Sequence, residues 1–375
     1  MAAIASKPTL IVFSGGMRET SVERLVAGAR DAAALDTLDR GIDSGAFDGA
    51  ILVTDSEALA ARAPRGVDVD LDGGSFDFAT RLREIVSHRR IERPFYVGGG
   101  SIPLLETAQL AELAERLACS ERTVISNNFF SADFVAWTPG SAIEALAAIP
   151  SDNRLPQLLH GEAGLDTWSM ARTIASQFDI DAPSDLAVLA LYPKGGPLLR
   201  AYLDGLDLDL EPYRRAMRHF LLPSMIVVAG RVGSATWQFL ERETACRVRI
   251  FSEERGMQAD GREHSGLVRT LLGSYLERTG ADGLFSTLAE LGEAVFLDTR
   301  VLFAHAHAAP SRPDRFLSDL GRWQEVQDPF VRTLTRAATE APVPVVLGGH
   351  SLVAGGIMAL VQAAWDEHDR TEANR

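Results

Sequence analysis

Short apolar runs recur along this chain, each followed by a stretch with helical spacing. Thr9 to Phe13, Gly49 to Asp55 and Phe95 to Val97 read as buried strands, with Asp68 to Leu71 and Thr123 to Ser126 as shorter ones. Between them, Thr20 to Ile42, the short segment before Pro64, Asp77 to His88 and Thr107 to Cys119 carry apolar residues three and four apart, the spacing of a helix face. Continuous rather than alternating apolar strands, interleaved with helices, predict a mostly parallel sheet covered on both faces. After Pro150 the pattern loosens. Ser169 to Gln177 reads as helical, and Pro183 begins a helix with Ser184 or Asp181 as its cap.

A second alternation starts near Tyr213. Met225 to Gly230 and Arg247 to Ser252 read as strands, and Ala235 to Thr244, Leu267 to Arg278 and Leu284 to Leu291 as helices. AVFLDTRVLFAH is read as a strand region, and the segment from Val343 as strand, glycine loop and helix. The expected fold class is therefore α/β: a doubly wound, mostly parallel sheet plus a second, smaller α/β domain. The expected boundaries are 1–205, 213–368 and a polar tail at 369–375.

Composition narrows the partners. The net charge of −14 argues against a broad grip on nucleic acid or anionic lipid, because counterion release needs clustered cations. Lys7 and Lys194 are the sole lysines, so a phosphate-binding cation has to be an arginine over most of the chain. Cys119 and Cys246 are read as buried free thiols. The start, MAAIASKPT, lacks the apolar core of a signal peptide, and no apolar run reaches membrane-spanning length; a cytoplasmic protein is expected.

Three segments fall where parallel strands end and ligands gather: Ser14-Gly15-Gly16 with Arg18, the run Gly98-Gly99-Gly100-Ser101, and the pair Asn127-Asn128. Paired glycines let backbone N–H groups approach a phosphate, and a following helix N-terminus favours negative charge.

The order of these segments resembles the MobA-like nucleotidyltransferases, the family that includes the molybdenum-cofactor and phospholactate guanylyltransferases. IVFSGGMRET matches that family's first-strand A-G-G loop. Gly100-Ser101-Ile102-Pro103-Leu104-Leu105 matches its G-D-x-P-L segment, and Asp179-Ile180-Asp181-Ala182-Pro183-Ser184-Asp185-Leu186 its D-[IV]-D-T-P-x-D-L segment. The resemblance covers roughly the first 190 residues. It implies a nucleotidyltransferase, GT-A-like fold that transfers a nucleotide from a nucleoside triphosphate to a small phosphorylated or cofactor-like acceptor. It implies a nucleotide cradle of Ser14, Gly15, Gly16, Arg18, Gly99, Gly100, Asn127 and Asn128, catalytic positions at Arg18, Ser101 and Asp181, and Mg²⁺ on Asp179 and Asp181. Two departures stand out. Ser101 replaces the metal-binding Asp, a poorer ligand for a hard cation, and the loop lysine has no equivalent, leaving Arg18 or Arg24 as substitutes. A nucleotide-binding or assembly protein without transfer therefore stands as an alternative, and a homodimer as a further expectation.

The second half offers its own candidates. Arg255, Asp298 and Arg300 flank strand ends. His305 and His307, spaced for one face of a strand, with Asp314, Asp319 and His350, suggest a metal-dependent hydrolase as another alternative. Gly348-Gly349-His350-Ser351 joins a strand to a helix and suits anion binding by backbone amides.

Overall fold

The reversal of strand order around a first central strand organises both halves of the computed structural model, which describes residues 6–74 and 76–373. The first sheet contains β1 (Thr9–Phe13), β2 (Gly49–Thr54), β3 (Asp68–Leu71), β4 (Pro94–Gly98), β5 (Thr123–Ser126), β6 (Phe134–Thr138) and β7 (Asp166–Ser169), in the order β3-β2-β1-β4-β6-β5-β7. β6 runs antiparallel to both its neighbours, and the other pairings are parallel. The second sheet contains β8 (Met225–Gly230), β9 (Arg247–Ser252), β10 (Ala294–Asp298) and β11 (Val345–Gly348), all parallel, in the order β11-β10-β8-β9.

By contact, the chain divides into two units whose segments alternate along the sequence. The first unit takes residues up to 16, 27–179 and 195–202; the second takes 17–26, 180–194 and 203 onward.

Alternation builds the first unit's core. Ile11 and Phe13 point into one apolar cluster with Ile51, Val53, Tyr96 and Trp137; Leu10 and Val12 point into another with Leu52, Phe95, Val97 and Phe134. Both faces of β1 are thus covered, as the unbroken apolar run requires. Phe95 and Phe134 stack with centroids 5.4 Å apart across the β4–β6 pair, worth about 1 kcal/mol beyond their buried area. The helix Pro197–Asp204 is fixed to the long helix Ser21–Ser44 by Asp36, whose two carboxylate oxygens accept Leu198 N–H at 3.0 Å and Leu199 N–H at 2.8 Å. Gly196 is required there, since a Cβ would lie 2.2 Å from the Asp36 carboxyl carbon. In the second unit, Val227, Ala229, Val295 and Leu297 share one cluster with Leu284, Phe285 and Leu334, while Phe296 stacks on Phe220 on the other face.

Several expected elements differ. The aromatic stretch contributes β6, with Phe134 and Trp137 fully buried, while Phe130 is 63% exposed. Ser169 to Gln177 is not one helix: Trp168 and Ser169 end the edge strand β7, and only Ile174–Gln177 is helical. The two helices expected between Leu267 and Leu291 are present within Leu271–Leu291, divided at Gly280, whose φ of 71° interrupts the helical path. The AVFLDTRVLFAH region stops as a strand at Asp298 and turns helical over Arg300–His305. The polar end is a helix too, Gly355–Ala373, because its Ala/Leu/Val face is buried; residues 374–375 lie outside the described residues. Ser184 and Asp181 do not cap the helix Pro183–Leu191; Asp185 reaches back and accepts both Asp181 N–H and Ala182 N–H at 2.8 Å. Cys119 is exposed at the end of the helix Thr107–Ala118, whereas Cys246 is buried. Among the described residues no helix is long and apolar enough to cross a membrane.

Candidate functional site

In an open parallel sheet, ligands bind beyond the carboxyl ends of the strands where strand order reverses. In the first unit that point lies between β1 and β4. Phe13 at the end of β1 pairs with Gly98 at the end of β4, so Ser14 and Gly99 leave the sheet side by side. Their contact is tight: a Cβ on Gly99 would lie 2.5 Å from Ser14 Oγ and 3.1 Å from the Phe13 carbonyl oxygen. Ser14 Oγ donates to Asp31 at 3.1 Å. Ser101 N–H closes a turn onto the Gly98 carbonyl at 2.9 Å, and Ile102 follows in a left-handed conformation with φ of 44°. The structure therefore gathers Ser14, Gly15, Gly16, Gly99, Gly100 and Ser101 at one strand edge.

Asp55, which the sequence reading did not single out, also belongs there. Directly after β2, its Oδ2 accepts the Gly16 N–H at 3.0 Å, and Gly15 has no room for a Cβ because Asp55 Oδ1 would lie 2.7 Å away. The glycine loop thus carries a carboxylate on one of the amides expected to hold phosphate. A polar residue immediately after a buried parallel strand was the available signal.

The remaining first-half candidates separate. Asn127 is 2% exposed: its Nδ2 donates to Asp133 at 2.6 Å and to the Ser176 carbonyl at 3.0 Å, and its Oδ1 accepts Asp133 N–H at 3.0 Å. These bonds lock the loop between β5 and β6. Asn128 Oδ1 accepts Phe130 N–H at 3.2 Å in a local turn. Asp179 meets Ser101 through an isolated antiparallel backbone bridge in the first unit, whereas Arg18 and Asp181 belong to segments of the second. Among the described residues no three His, Cys, Asp or Glu side chains gather in a group able to hold a metal ion. Ser101, bridged to Asp179, brings a neutral hydroxyl where the resemblance implies a carboxylate, a poorer ligand for a hard cation.

In the second unit, strand order reverses between β8 and β10, and there the side chains form a dense charged array. Asp298 is fully buried at the end of β10. It holds Arg231, which follows β8, through Nε at 2.6 Å and Nη2 at 3.1 Å, and it also accepts the Arg231 and Arg300 N–H groups at 3.3 and 3.2 Å. Burial opposes its ionisation, but Arg231 and the other nearby cations hold its carboxyl below the ordinary range. Arg300 is gripped by Asp319 through Nη1 at 2.7 Å and Nη2 at 2.5 Å. Burial raises the Asp319 carboxyl despite that partner. Asp185 is raised well above the ordinary range, by burial first and then by Asp181 and Asp319, and its Oδ1 has no partner. Burial, then Arg231, lowers His350 from 6.5 to about 4, so its imidazole is neutral at pH 7.

His350 and Ser351 follow β11 in a turn and a 3₁₀ segment rather than on the strand itself. Ser351 is 4% exposed, and Gly349 approaches Arg300, whose Nε would be 3.9 Å from a Cβ there. Arg255 is exposed after β9, with its guanidinium carbon 3.7 Å from a Cβ placed on Gly233. The sequence did not single out Arg231, nor these roles of Asp185 and Asp319.

The histidine metal site does not form. His305 ends a helix; its Nδ1 accepts Thr270 N–H at 2.9 Å and its Nε2 lies 3.3 Å from Glu277. Both ring nitrogens are engaged. His307 is exposed in a left-handed turn with φ of 52°. Ser311 caps the helix that holds Asp314, accepting its N–H at 3.2 Å and donating to its carboxylate at 3.0 Å, and Asp314 also accepts Gln327 N–H at 2.6 Å.

No family model matches the chain, and no match is found among curated proteins. Solved structures do show similarity. A Desulfovibrio desulfuricans protein assigned as a nucleotide-diphospho-sugar transferase is 13% identical, with a TM-score of 0.39, and the match covers 54% of this chain and 100% of that one. A cytidylyltransferase from Leptospira borgpetersenii is 14% identical with a TM-score of 0.35, covering 53% and 92%. A 4-diphosphocytidyl-2C-methyl-D-erythritol synthase from Anaerococcus prevotii is 13% identical with a TM-score of 0.35, covering 53% and 97%. The fold assignment rests on the strand order and register rather than on likenesses of this size.

Proposed function

We propose that the first unit binds a nucleoside triphosphate in the crevice between the loops that end β1 and β4. In this reading it serves nucleotidyl transfer to a small phosphorylated or cofactor-like acceptor. The observation that carries the reading is the close approach of Ser14 to Gly99 at the point where strand order reverses. Glycine backbones at that edge leave a nucleotide room to approach the chain.

A second reading, binding without transfer, is favoured by the carboxylate of Asp55 on Gly16 N–H and the hydroxyl at Ser101. A phosphate would have to displace Asp55 from that amide, which disfavours a tightly held triphosphate. Thermal-shift titration with GTP, CTP and ATP, with and without Mg²⁺, tests both readings, since a ligand of the native state raises Tm. A nucleotide-dependent shift with pyrophosphate release on adding an acceptor supports transfer; a shift without release supports binding alone. No shift with any nucleotide refutes both.

A further inference from the structure

Among the described residues, two strand–glycine–helix turns lie at sheet reversals, and they differ in what faces their amides. The first, Ser14-Gly15-Gly16, is covered by the carboxylate of Asp55. The second runs from Gly230 at the end of β8 through Arg231, Val232 and Gly233 into the ten-residue helix Ser234–Glu243. Its N-cap is Gly233, which has no side chain to accept the first-turn N–H groups, so these and the helix dipole are presented to the strand-end crevice. What lies against Gly233 is a cation, the Arg255 guanidinium. Ser252 Oγ donates to the Val232 carbonyl at 2.7 Å, and Glu253 N–H to the Gly230 carbonyl at 2.9 Å, so the loops after β8 and β9 are tied together.

We propose that this turn is a phosphoryl-binding site of the second unit, formed by the Ser234–Thr236 amides, Arg255, Arg231 and His350. Arg231 is pre-oriented, because Asp298 engages its Nε and Nη2 and leaves Nη1 for a ligand. His350 supplies an independent sign of a ligand: its Nδ1 is buried and has no hydrogen-bond partner, in an environment set by Arg231, Asp298, Asp181 and Arg255. A polar atom buried in that way normally has one. Backbone amides at a helix N-terminus, a planar guanidinium and an imidazole make a donor set suited to a tetrahedral oxyanion. The site takes the phosphate of a free anion or of a phosphorylated small molecule, and its residues all belong to the second unit.

The test uses the full chain and inorganic phosphate, with chloride at equal ionic strength and acetate as comparators. Calorimetry and thermal shift should detect phosphate binding that chloride and acetate do not reproduce. The His350 ring resonance, assigned by its loss in His350→Gln, should move as phosphate is added. Arg255→Gln, a change at an exposed residue, should weaken binding about tenfold, the loss of one charge-assisted contact. Gly233→Asp is the decisive variant. Gly233 has an ordinary φ of −88°, so Asp fits there and caps the helix, preserving or raising Tm while its carboxylate fills the site. Phosphate binding should then be lost while any nucleotide-induced shift of the first unit persists. Equal responses to phosphate and acetate overturn the phosphoryl assignment. Absent phosphate binding, or binding undiminished in both Gly233→Asp and Arg255→Gln, overturns the site.

Discussion

Replacing Gly99 by alanine tests whether the β1 and β4 loops meet as tightly as the nucleotide crevice requires. The added Cβ would lie 2.5 Å from Ser14 Oγ, 2.7 Å from Ser14 Cβ and 3.1 Å from the Phe13 carbonyl oxygen. The Ser14 side chain has little room to yield, being 4% exposed and bonded to Asp31, and the carbonyl is backbone. Overpacking of this kind costs about 1–3 kcal/mol, which for a unit of this size lowers Tm by roughly 2–10 °C. Ser14→Gly removes the two closest clashes but also loses a buried hydrogen bond, about 1 kcal/mol by itself. The double variant should therefore be more stable than the sum of the singles by at least about 0.5 kcal/mol, the coupling expected of touching residues. Urea unfolding of the wild type, both singles and the double variant measures that coupling. Strict additivity, or a Gly99→Ala cost below about 0.5 kcal/mol, would show that the two loops are not in contact. The nucleotide-induced Tm shift should fall in Gly99→Ala and recover partly in the double variant.

The charged array of the second unit gives two further expectations, and the thiols a third. Asp185 favours its protonated form in the fold, so the stability it contributes is present at low pH and is lost as pH rises through its elevated pKa. Asp185→Asn mimics that form and should flatten this dependence at a cost under about 1 kcal/mol, whereas Asp185→Ala, which strips two helix-entry bonds, should cost about 2–4 kcal/mol in urea unfolding. His350 has the opposite sign. Between pH 6.5 and about 4 the unfolded chain takes up a proton that the folded chain refuses, so stability falls by about 3 kcal/mol over that window. Denaturation at pH 7 and pH 4 should show His350→Gln losing less stability than wild type, and equal losses would contradict the assigned environment. Exposed Cys119 should react with a thiol reagent in the native protein, while Cys246, buried and with its thiol pushed up by that burial, should react only on unfolding.

The apolar runs by themselves determined the α/β class and placed most strands of both sheets, because an unbroken Leu-Ile-Val-Phe stretch of five or six residues is stable only when both faces are covered. They also located the glycine turns, since Gly15, Gly16, Gly99 and Gly349 sit directly after such runs. Short edge or antiparallel strands escaped: β7 is mostly exposed, with no apolar run to mark it, and β6 was hidden in an aromatic cluster. The Arg300–His305 helix was missed because a fully buried helical turn is as continuously apolar as a strand.

Charge placement was decided by tertiary structure alone. Nothing in SGGMRET announces that Asp55, about forty residues on, places its carboxylate on Gly16 N–H. Nor does GRVGS announce that Arg255 lies against Gly233. Strand order brings these residues together, and strand order depends on which chain ends pack, not on local spacing. The first of these glycine turns was legible in the sequence and the one from Gly230 to Gly233 was not; the fold gave an acid to one and a base to the other.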